Sequence, residues 1–351
     1  MLAPVTHIIP LTTVRRERHL PSPGRVTAHL SQKVNPMDVV AEAEIGQNHL
    51  FIDVAQQLNI SIAAAESLIH FNVGERIEEN QVIAQRTGII PQTIRAPMGG
   101  RVVTVGAGLV MLDVGEGTFE LRAGYPGAVT RVFPERGVEI SVTGALVQGV
   151  WGNGRIDSGL MLPLLSQPED VLQVRQIDVS LRGSVVLAGY LNDTSVLQAG
   201  SELPLRGLIL ANISPALIPA ALQVRYPVIV IDGFVHSPMN MAAFKLLTTN
   251  AKREAAINAQ SYDRYSGTRP ELIIPLPVSQ EPPTPRDVDI FAPNQQVRIC
   301  RAPCPGAIGT LVNLLPGLTA FPNGLRLEAA EVQLHNGDQV VIPLVNLELV
   351  G

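Results

Sequence analysis

The sequence predicts a β-rich, multidomain α/β protein, and three observations lead to that class. Short runs of Val, Ile and Leu are separated by Gly and Pro turns along residues 1–165, which is typical of consecutive strands. From residue 166 the rhythm changes to strand, helix, strand, as in a parallel sheet covered by helices. A Pro-rich segment then precedes a last run of short strands. We therefore predict domains at 1–165, 166–278 and 295–351, with a linker at 279–294.

The bulk composition is that of a folded chain with few charges. Among 351 residues, 46% are hydrophobic and 16% are charged, which excludes a disordered protein. The formal net charge of −5 gives no overall positive field that would attract nucleic acid or an acidic membrane. No apolar run reaches the ~18 residues of a membrane span, and two cysteines are too few for a disulfide framework. We expect a soluble, cytoplasmic protein.

Residues 1–165 are predicted as strands interrupted by one helical patch. The patch comprises Phe51–Asn59 and Ser61–His70, and Ser61 is placed to cap the second helix. The basic cluster Val14–His19 ("VRRERH") lies near the terminus, and we interpret it as a solvated arm.

The middle block, 166–278, contains three pairs of a continuous apolar strand and a helix. The pairs are Ser184–Leu191 with Asn192–Gly200, Leu205–Asn212 with Ile213–Val224, and Pro227–Phe234 with Ser237–Asn250. Such pairs predict a small parallel, Rossmann-like sheet with both faces covered. Arg253–Gln260 and Pro270–Pro277 are candidates for additional edge strands.

The segment Val278–Asn294 contains four prolines and several charges, so we expect an exposed, extended spacer. After it, five short strands are predicted in 295–351, and the Asn-Gly pair within His335–Asp338 indicates a tight hairpin. A small closed β-barrel is the natural interpretation, because closure leaves no bare strand edges.

The first block resembles the barrel-sandwich hybrid of biotinyl and lipoyl domains. The matching residues are "V-G-x-x-I-x-x-x-Q-x-I-A" at Val73–Ala84 and "AP-x-x-G-x-V" at Ala96–Val102. Between these motifs, where that family carries its modified lysine, this chain reads "QRTGIIPQT". The chain's lysines are Lys33, Lys245 and Lys252. The resemblance therefore implies the fold without a biotin or lipoyl cofactor, used as a structural insert or docking module.

The last block resembles KOW-type SH3-like barrels, as in the transcription factor NusG and some ribosomal proteins. The resemblance is carried by the "VRI" strand, by Gly306–Val312, and by the closing Asn346–Glu348. It implies contacts with nucleic acid or with proteins of transcription and translation. Residues 295–351, however, hold three arginines against four acids and no lysine. Because phosphate binding needs several cations, these charges favour a protein partner over nucleic acid.

A candidate ligand site lies where the predicted parallel strands end. Asn192, Asn212, Asp232 and His236 occupy the strand–helix junctions, where α/β sheets bind ligands. Free N–H groups at the helix starts could hold an anion there, and Asp232 with His236 could form an acid–base pair. Nearby cations are Lys245, Lys252, Arg253, Arg264 and Arg269. The alternative interpretation is that the polar residues are helix caps, with serines preceding Pro215 and Pro238.

Other chemical motifs are weak. The sequence contains neither a Gly-rich dinucleotide fingerprint after the first middle-block strand nor a phosphate-binding Gly-Lys-Ser/Thr loop. Cys300 and Cys304 lie four apart, but zinc would need two further ligands, and His335 is the one histidine of that block. We therefore predict no metal site and interpret both cysteines as buried apolar residues.

Three functions follow from these observations. The leading hypothesis is a non-enzymatic scaffold or adaptor that binds protein, with transcription or translation as its setting. A nucleic-acid-binding KOW protein is the second, and a ligand-binding or catalytic α/β domain is the third. A basic face formed across the domains would favour the second, and a concave pocket at the strand ends would favour the third. The oligomeric state is left open.

Overall fold

A computed structural model describes residues 2–44, 49–86, 92–114, 118–263, 267–334 and 336–351. Strand residues clearly outnumber helical residues, and the strands form several sheets. The predicted β-rich class is therefore confirmed.

The N-terminal strands serve three different sheets. They are β1 (Leu2–Thr6), β2 (Ile8–His19), β3 (Arg25–Val26), β4 (Lys33–Val34) and β5 (Val39–Glu44). The long strand β2 contains the basic cluster Val14–His19, which pairs in antiparallel register with a central strand of the largest sheet. The prediction of a solvated arm is therefore wrong, although Arg15 remains partly exposed.

Residues 49–114 form a separate small core, here called the inserted lobe. Its elements are β6 (His49–Asp53), α1 (Val54–Leu58), α2 (Ile62–Leu68), β7 (Arg76–Ile77), β8 (Val82–Arg86), β9 (Gln92–Arg95), β10 (Gly100–Gly106) and β11 (Leu109–Asp113). They make a four-stranded sheet in the order β6-β11-β10-β7 and the hairpin β8-β9. Ser61 caps α2 by accepting a hydrogen bond from Ala64 N, as predicted.

The motifs Val73–Ala84 and Ala96–Val102 of the inserted lobe lie next to each other, and their glycines occupy a turn and a close backbone approach. Gly100 pairs with Ile77, and a Cβ at Gly100 would lie 2.6 Å from the backbone oxygen of Asp113. Gly74 has φ +93°, a conformation that favours glycine. The tip of the hairpin that would carry a lysine, residues 87–91, lies outside the described part of the chain.

The largest sheet extends from the N-terminal region through the α/β region. Strands before the α/β region are β12 (Thr118–Arg122), β13 (Gly127–Phe133), β14 (Gly137–Gln148), β15 (Trp151–Gly152) and β16 (Ile156–Pro163). β12 pairs with β5 in a separate three-stranded sheet, β12-β5-β3. One side of β14 pairs with β2 along most of the length of β14. Over its C-terminal half, β14 also pairs with β21, which continues the large sheet.

The predicted parallel α/β unit is present. Its elements are β17 (Ser184–Leu191), α3 (Thr194–Glu202), β18 (Gly207–Ile213), α4 (Ile218–Gln223), β19 (Val228–Gly233), α5 (Met241–Thr249), β20 (Glu254–Asn258) and β21 (Glu271–Pro275). β16 to β19 are parallel neighbours, with α3 and α4 packed on one face and α5 on the other. β20 and β21 lie inside the sheet between β16 and β14, so the expectation of edge strands is wrong.

The C-terminal sheet has seven strands, and one of them is the N-terminal strand of the chain. Its further strands are β22 (Val288–Ile290), β23 (Gln296–Ile299), β24 (Ile308–Leu314), β27 (Ala329–Leu334), β28 (Gln339–Pro343) and β29 (Leu347–Val350), while β25 (Thr319–Ala320) and β26 (Arg326–Leu327) form a hairpin. The order is β22-β1-β29-β23-β24-β27-β28. Across the described residues this path is open, which differs from the predicted closed barrel. One edge of β29 pairs with β1, so this edge is covered without closing the sheet into a barrel.

Strand pairing does not follow the predicted domain boundaries. The large sheet runs across the boundary between 165 and 166, since β16 pairs with both β17 and β20. The predicted linker is exposed over most of its length, yet it contains β22 and accepts hydrogen bonds from Thr12 and Thr13 through the carbonyls of Pro283 and Pro282. The predicted hairpin at His335–Asp338 joins β27 to β28, with His335 itself outside the described residues.

Candidate functional site

The four predicted site residues lie at the carboxyl ends of β17, β18 and β19, but they make different contacts. Asn212 is buried, and its Nδ2 donates to the Ser237 carbonyl at 2.9 Å. Asp232 is 5% exposed, and its Oδ2 accepts from the Asn240 N–H at 2.7 Å. Both side chains therefore brace the loop that follows β19.

The other two predicted residues do not join Asp232. The His236 ring stacks on Tyr190 with 4.4 Å between centroids. Asn192 is exposed at the end of β17 and makes no hydrogen bond to the other three residues within the described ranges. Since His236 does not line the cavity beside Asp232, the geometry does not support an acid–base pair.

The starts of α3 and α5 are satisfied by their own caps, as the alternative interpretation holds, whereas Ser214 before Pro215 makes no side-chain capping hydrogen bond. Asp193 accepts from Ser195 N at the start of α3. At α5 the cap is Asn240, which accepts from the amides of Ala242 and Ala243. The predicted start at Ser237–Pro238 is therefore wrong by a few residues, because Asn240 supplies a stronger cap one turn later. These ends do not offer the free N–H cradle that was considered for an anion.

A cavity of about 800 Å³ lies between the carboxyl end of β19 and the C-terminal sheet, and we call it the junction cavity. One wall is formed by Asp232 and the residues that follow it, and the opposite wall by residues of β23, β29 and the loop at 300–306. Its polar side chains are Asp232, Tyr262, Arg269, Arg298, Cys300, Arg301 and Glu348. Its remaining lining is mostly apolar, including Val150, Phe234, Val235, Ile299, Val345 and Leu347.

A buried ion cluster forms one side of the junction cavity. Glu348 Oε1 accepts a hydrogen bond from Arg298. Its Oε2 accepts a second hydrogen bond from Arg269 Nη2 at 2.9 Å. All three side chains are at most 7% exposed. Arg298 also donates to the Ile231 carbonyl at 3.0 Å and to Thr6 Oγ1 at 3.2 Å. It therefore links the C-terminal sheet to β19 and to the region of β1.

This environment perturbs the titration of the carboxyl groups. Burial raises the pKa of Asp232 to about 6, although the Asn240 N–H and the charge of Arg298 act in the opposite direction. Burial would also raise the pKa of Glu348, but Arg298 and Arg269 outweigh it and hold that pKa below its ordinary value. At neutral pH both groups are therefore mainly ionised.

The two cysteines are not the buried apolar residues that were predicted. Cys300 has an exposed surface at the cavity, and Cys304 is half-buried. Partial burial of the Cys300 thiol and the adjacent Glu348 carboxylate raise the pKa of Cys300 above its ordinary value. The described residues contain no group of three His, Cys, Asp or Glu that could hold a metal ion; His335 lies outside them.

Sequence reasoning identified Asp232 but missed the cluster opposite it. Of the described cations near the predicted site, Arg269 is the one that lines the cavity; Arg264 lies outside the described residues. In the sequence, Arg298 and Glu348 enter only the charge balance of residues 295–351. The available signal was a single charge between apolar residues in each of two short strands, "VRI" and "LEL". Such a charge is buried only when it has a partner.

Comparisons add no family. No protein-family model matches this chain, and no curated protein sequence matches it significantly. In the part of the chain that the structure describes, no helix has both the length and the apolar character needed to cross a membrane.

Proposed function

We propose that this protein binds a small ligand in the junction cavity. The carrying observation is the position of a cavity of about 800 Å³ at the carboxyl end of β19, a strand of the parallel unit. Open α/β sheets bind ligands outside the carboxyl ends of their strands. The volume falls in the range of roughly 300–1,000 Å³ that is typical of small-molecule sites.

The lining supports binding. Phe234, Val235 and Val345 are large apolar side chains that remain 38–59% exposed at this cavity. Exposed apolar side chains that share one concavity are typical of ligand grooves. A few polar groups converge beside them, which is the usual means of orienting a ligand.

The side chains that line the cavity favour ligand binding over catalysis. The pKa of Cys300 is raised by its surroundings and by Glu348, so its thiol is protonated at neutral pH and is a poor nucleophile. Asp232 already accepts the Asn240 N–H, and His236 lies outside the cavity. The Cys300 thiol does face the Glu348 carboxylate, but Arg298 and Arg269 hold the pKa of Glu348 below its ordinary value, so this carboxylate is a weak base and the lining residues favour recognition over catalysis.

Cavity-filling variants test this proposal with Nile red, a neutral fluorescent probe. Val235→Trp and Val345→Trp fill the cavity from opposite walls, and Val341→Trp adds the same side chain to an exposed position on β28 away from it. We expect both cavity variants to weaken Nile red binding at least tenfold and Val341→Trp to bind as the wild type does. Circular dichroism checks that each variant folds. Failure of the wild type to bind, or equal affinity in all four proteins, would contradict the proposal.

An adaptor role is the second candidate, and the inserted lobe favours it. Phe51, Ile62, Val73 and Met98 are large apolar residues of this lobe that are more than half exposed. We propose that the lobe is a lysine-free barrel-sandwich module and that the C-terminal sheet is a KOW-like module, both serving protein contacts in a reducing cytoplasm. The two free cysteines support that compartment.

The adaptor proposal is tested by affinity capture with and without nuclease. Phe51→Ser with Met98→Ser should lose a protein that the wild type retains after nuclease treatment. A partner that only nuclease removes would favour nucleic acid instead, against the near-neutral charge of residues 295–351. Identical captured proteins for both forms would contradict the assignment of this lobe as the docking surface.

A further inference from the structure

We propose that the ligand of the junction cavity is an apolar monocarboxylic acid whose carboxylate pairs with Arg301. This inference rests on the proposed function and names the chemical class that the cavity accepts. It depends on the charge balance of the cavity, on the state of each arginine, and on the apolar wall.

The buried charges of the cavity cancel at neutral pH. Arg269 and Arg298 contribute two positive charges, while Glu348 and ionised Asp232 contribute two negative charges. Arg301 is the further charged residue in the lining, so the cavity carries a surplus of one positive charge. One surplus charge matches a monoanion, whereas a doubly charged phosphate would leave one negative charge uncompensated in an apolar environment.

Arg301 is available for a ligand, whereas the two buried arginines are not. Arg298 uses its donors on Glu348, Ile231 and Thr6, and Arg269 binds Glu348 with its guanidinium over the Tyr262 ring at 4.6 Å. Arg301 is exposed and forms neither a hydrogen bond nor an ion pair with any described residue. A guanidinium binds a carboxylate in a two-pronged geometry, which makes a carboxylate the natural partner.

The rest of the ligand is apolar, because the wall beside Arg301 is apolar. Phe234, Val235 and Val345 expose hydrocarbon surface to the cavity, and Ile299 and Leu347 line it from the C-terminal sheet. A hydrocarbon or aromatic body that covers these side chains is favoured, because it removes apolar surface from water. A cationic ligand is disfavoured, because it would meet the surplus positive charge.

Three probes with the same alkyl chain separate charge from hydrophobicity. Decanoate, decanol and decyltrimethylammonium are titrated by isothermal calorimetry or by displacement of Nile red from the full-length protein. We expect decanoate to bind about tenfold more tightly than decanol and the ammonium compound to bind most weakly. The preference for decanoate should fall with added salt, since Arg301 is exposed.

Arg301→Gln tests the assigned cation, and Arg326→Gln is its matched control, an exposed arginine of the same region that does not line the cavity. Arg301→Gln should lose the decanoate preference and bind decanol as before, while Arg326→Gln retains the preference. A wild type that binds decanol or the ammonium compound as tightly as decanoate would overturn the inference, and so would an Arg301→Gln protein that keeps the preference. The proposed function would survive those results if Val345→Trp still blocks Nile red and decanol, and it fails separately if Val345→Trp leaves their binding unchanged.

Discussion

Removal of the Glu348 carboxylate should destabilise the protein strongly. Glu348→Gln keeps the size of the side chain and one acceptor oxygen, but it leaves Arg269 and Arg298 without their shared anion. Both guanidinium groups are at most 7% exposed, so water cannot replace the lost charge. The junction between β19, the region of β1 and the C-terminal sheet then contains two buried cations that have lost their ion-pair partner.

The expected loss in the free energy of unfolding is about 3–5 kcal/mol, the usual result of removing one partner from a buried ion pair. The effect should depend on pH. Because the folded pKa of Glu348 is lowered, its contribution is complete above its unfolded pKa of about 4.3 and is lost as the pH falls through the folded pKa. The difference between wild type and variant should therefore be largest at neutral pH and shrink in acid.

Urea denaturation at neutral pH, followed by tryptophan fluorescence and circular dichroism, measures this difference. Glu328→Gln is the control, because Glu328 is an exposed acid of the same region and should change stability by no more than about 0.5 kcal/mol. Replacing all three members, Arg269, Arg298 and Glu348, with leucine should recover part of the loss, since an apolar set leaves no buried charge. A Glu348→Gln midpoint that equals that of the control would refute the reasoning.

Three further predictions concern other contacts. Burial raises the pKa of Asp232 to about 6, so the stability that Asp232 itself contributes should fall as the pH rises from about 4 to about 6. Relative to the wild type, Asp232→Asn should therefore gain stability between about pH 4 and about pH 8, as measured by urea titration of both proteins at both ends. Asn153→Ala should cost about 2–4 kcal/mol and speed hydrogen exchange at the Val228 amide, because Asn153 bonds the carbonyls of Ala221 and Tyr226 and that amide. Limited proteolysis at 279–286 should leave two fragments that co-elute in size-exclusion chromatography, because β1 lies inside the C-terminal sheet; separate elution would contradict that pairing.

The sequence predicted best those parts whose signal is local. The three apolar strands β17 to β19 are almost fully buried, and helix faces such as Val196 with Leu197 cover them, so continuous hydrophobicity was a sufficient signal. Ser61 was identifiable as a cap because an N-cap acts within one turn. Gly74 and Gly100 likewise indicated turns and close backbone approaches.

The parts that failed depend on pairing between distant residues. Leu2–Thr6 lies between β22 and β29, more than 280 positions away, and its sequence contains no signal for that partner. The cluster Val14–His19 looked like a solvated arm because of its charges, yet Arg16 bonds buried Glu271 at 2.6 Å. A charged residue in a strand is exposed or paired, and only the fold determines which.

Asp232 illustrates how far local reasoning reaches into the site. The rule for parallel sheets points to the carboxyl end of β19, and Asp232, the residue that follows "VIVI", lines the junction cavity. The rule could not identify the opposite wall, because that wall comes from the other end of the chain. Arg298 reaches across to the Ile231 carbonyl and to Thr6, and Pro4 lines the cavity. Docking of the N-terminal strand and the shape of the junction cavity therefore depend on the same set of contacts.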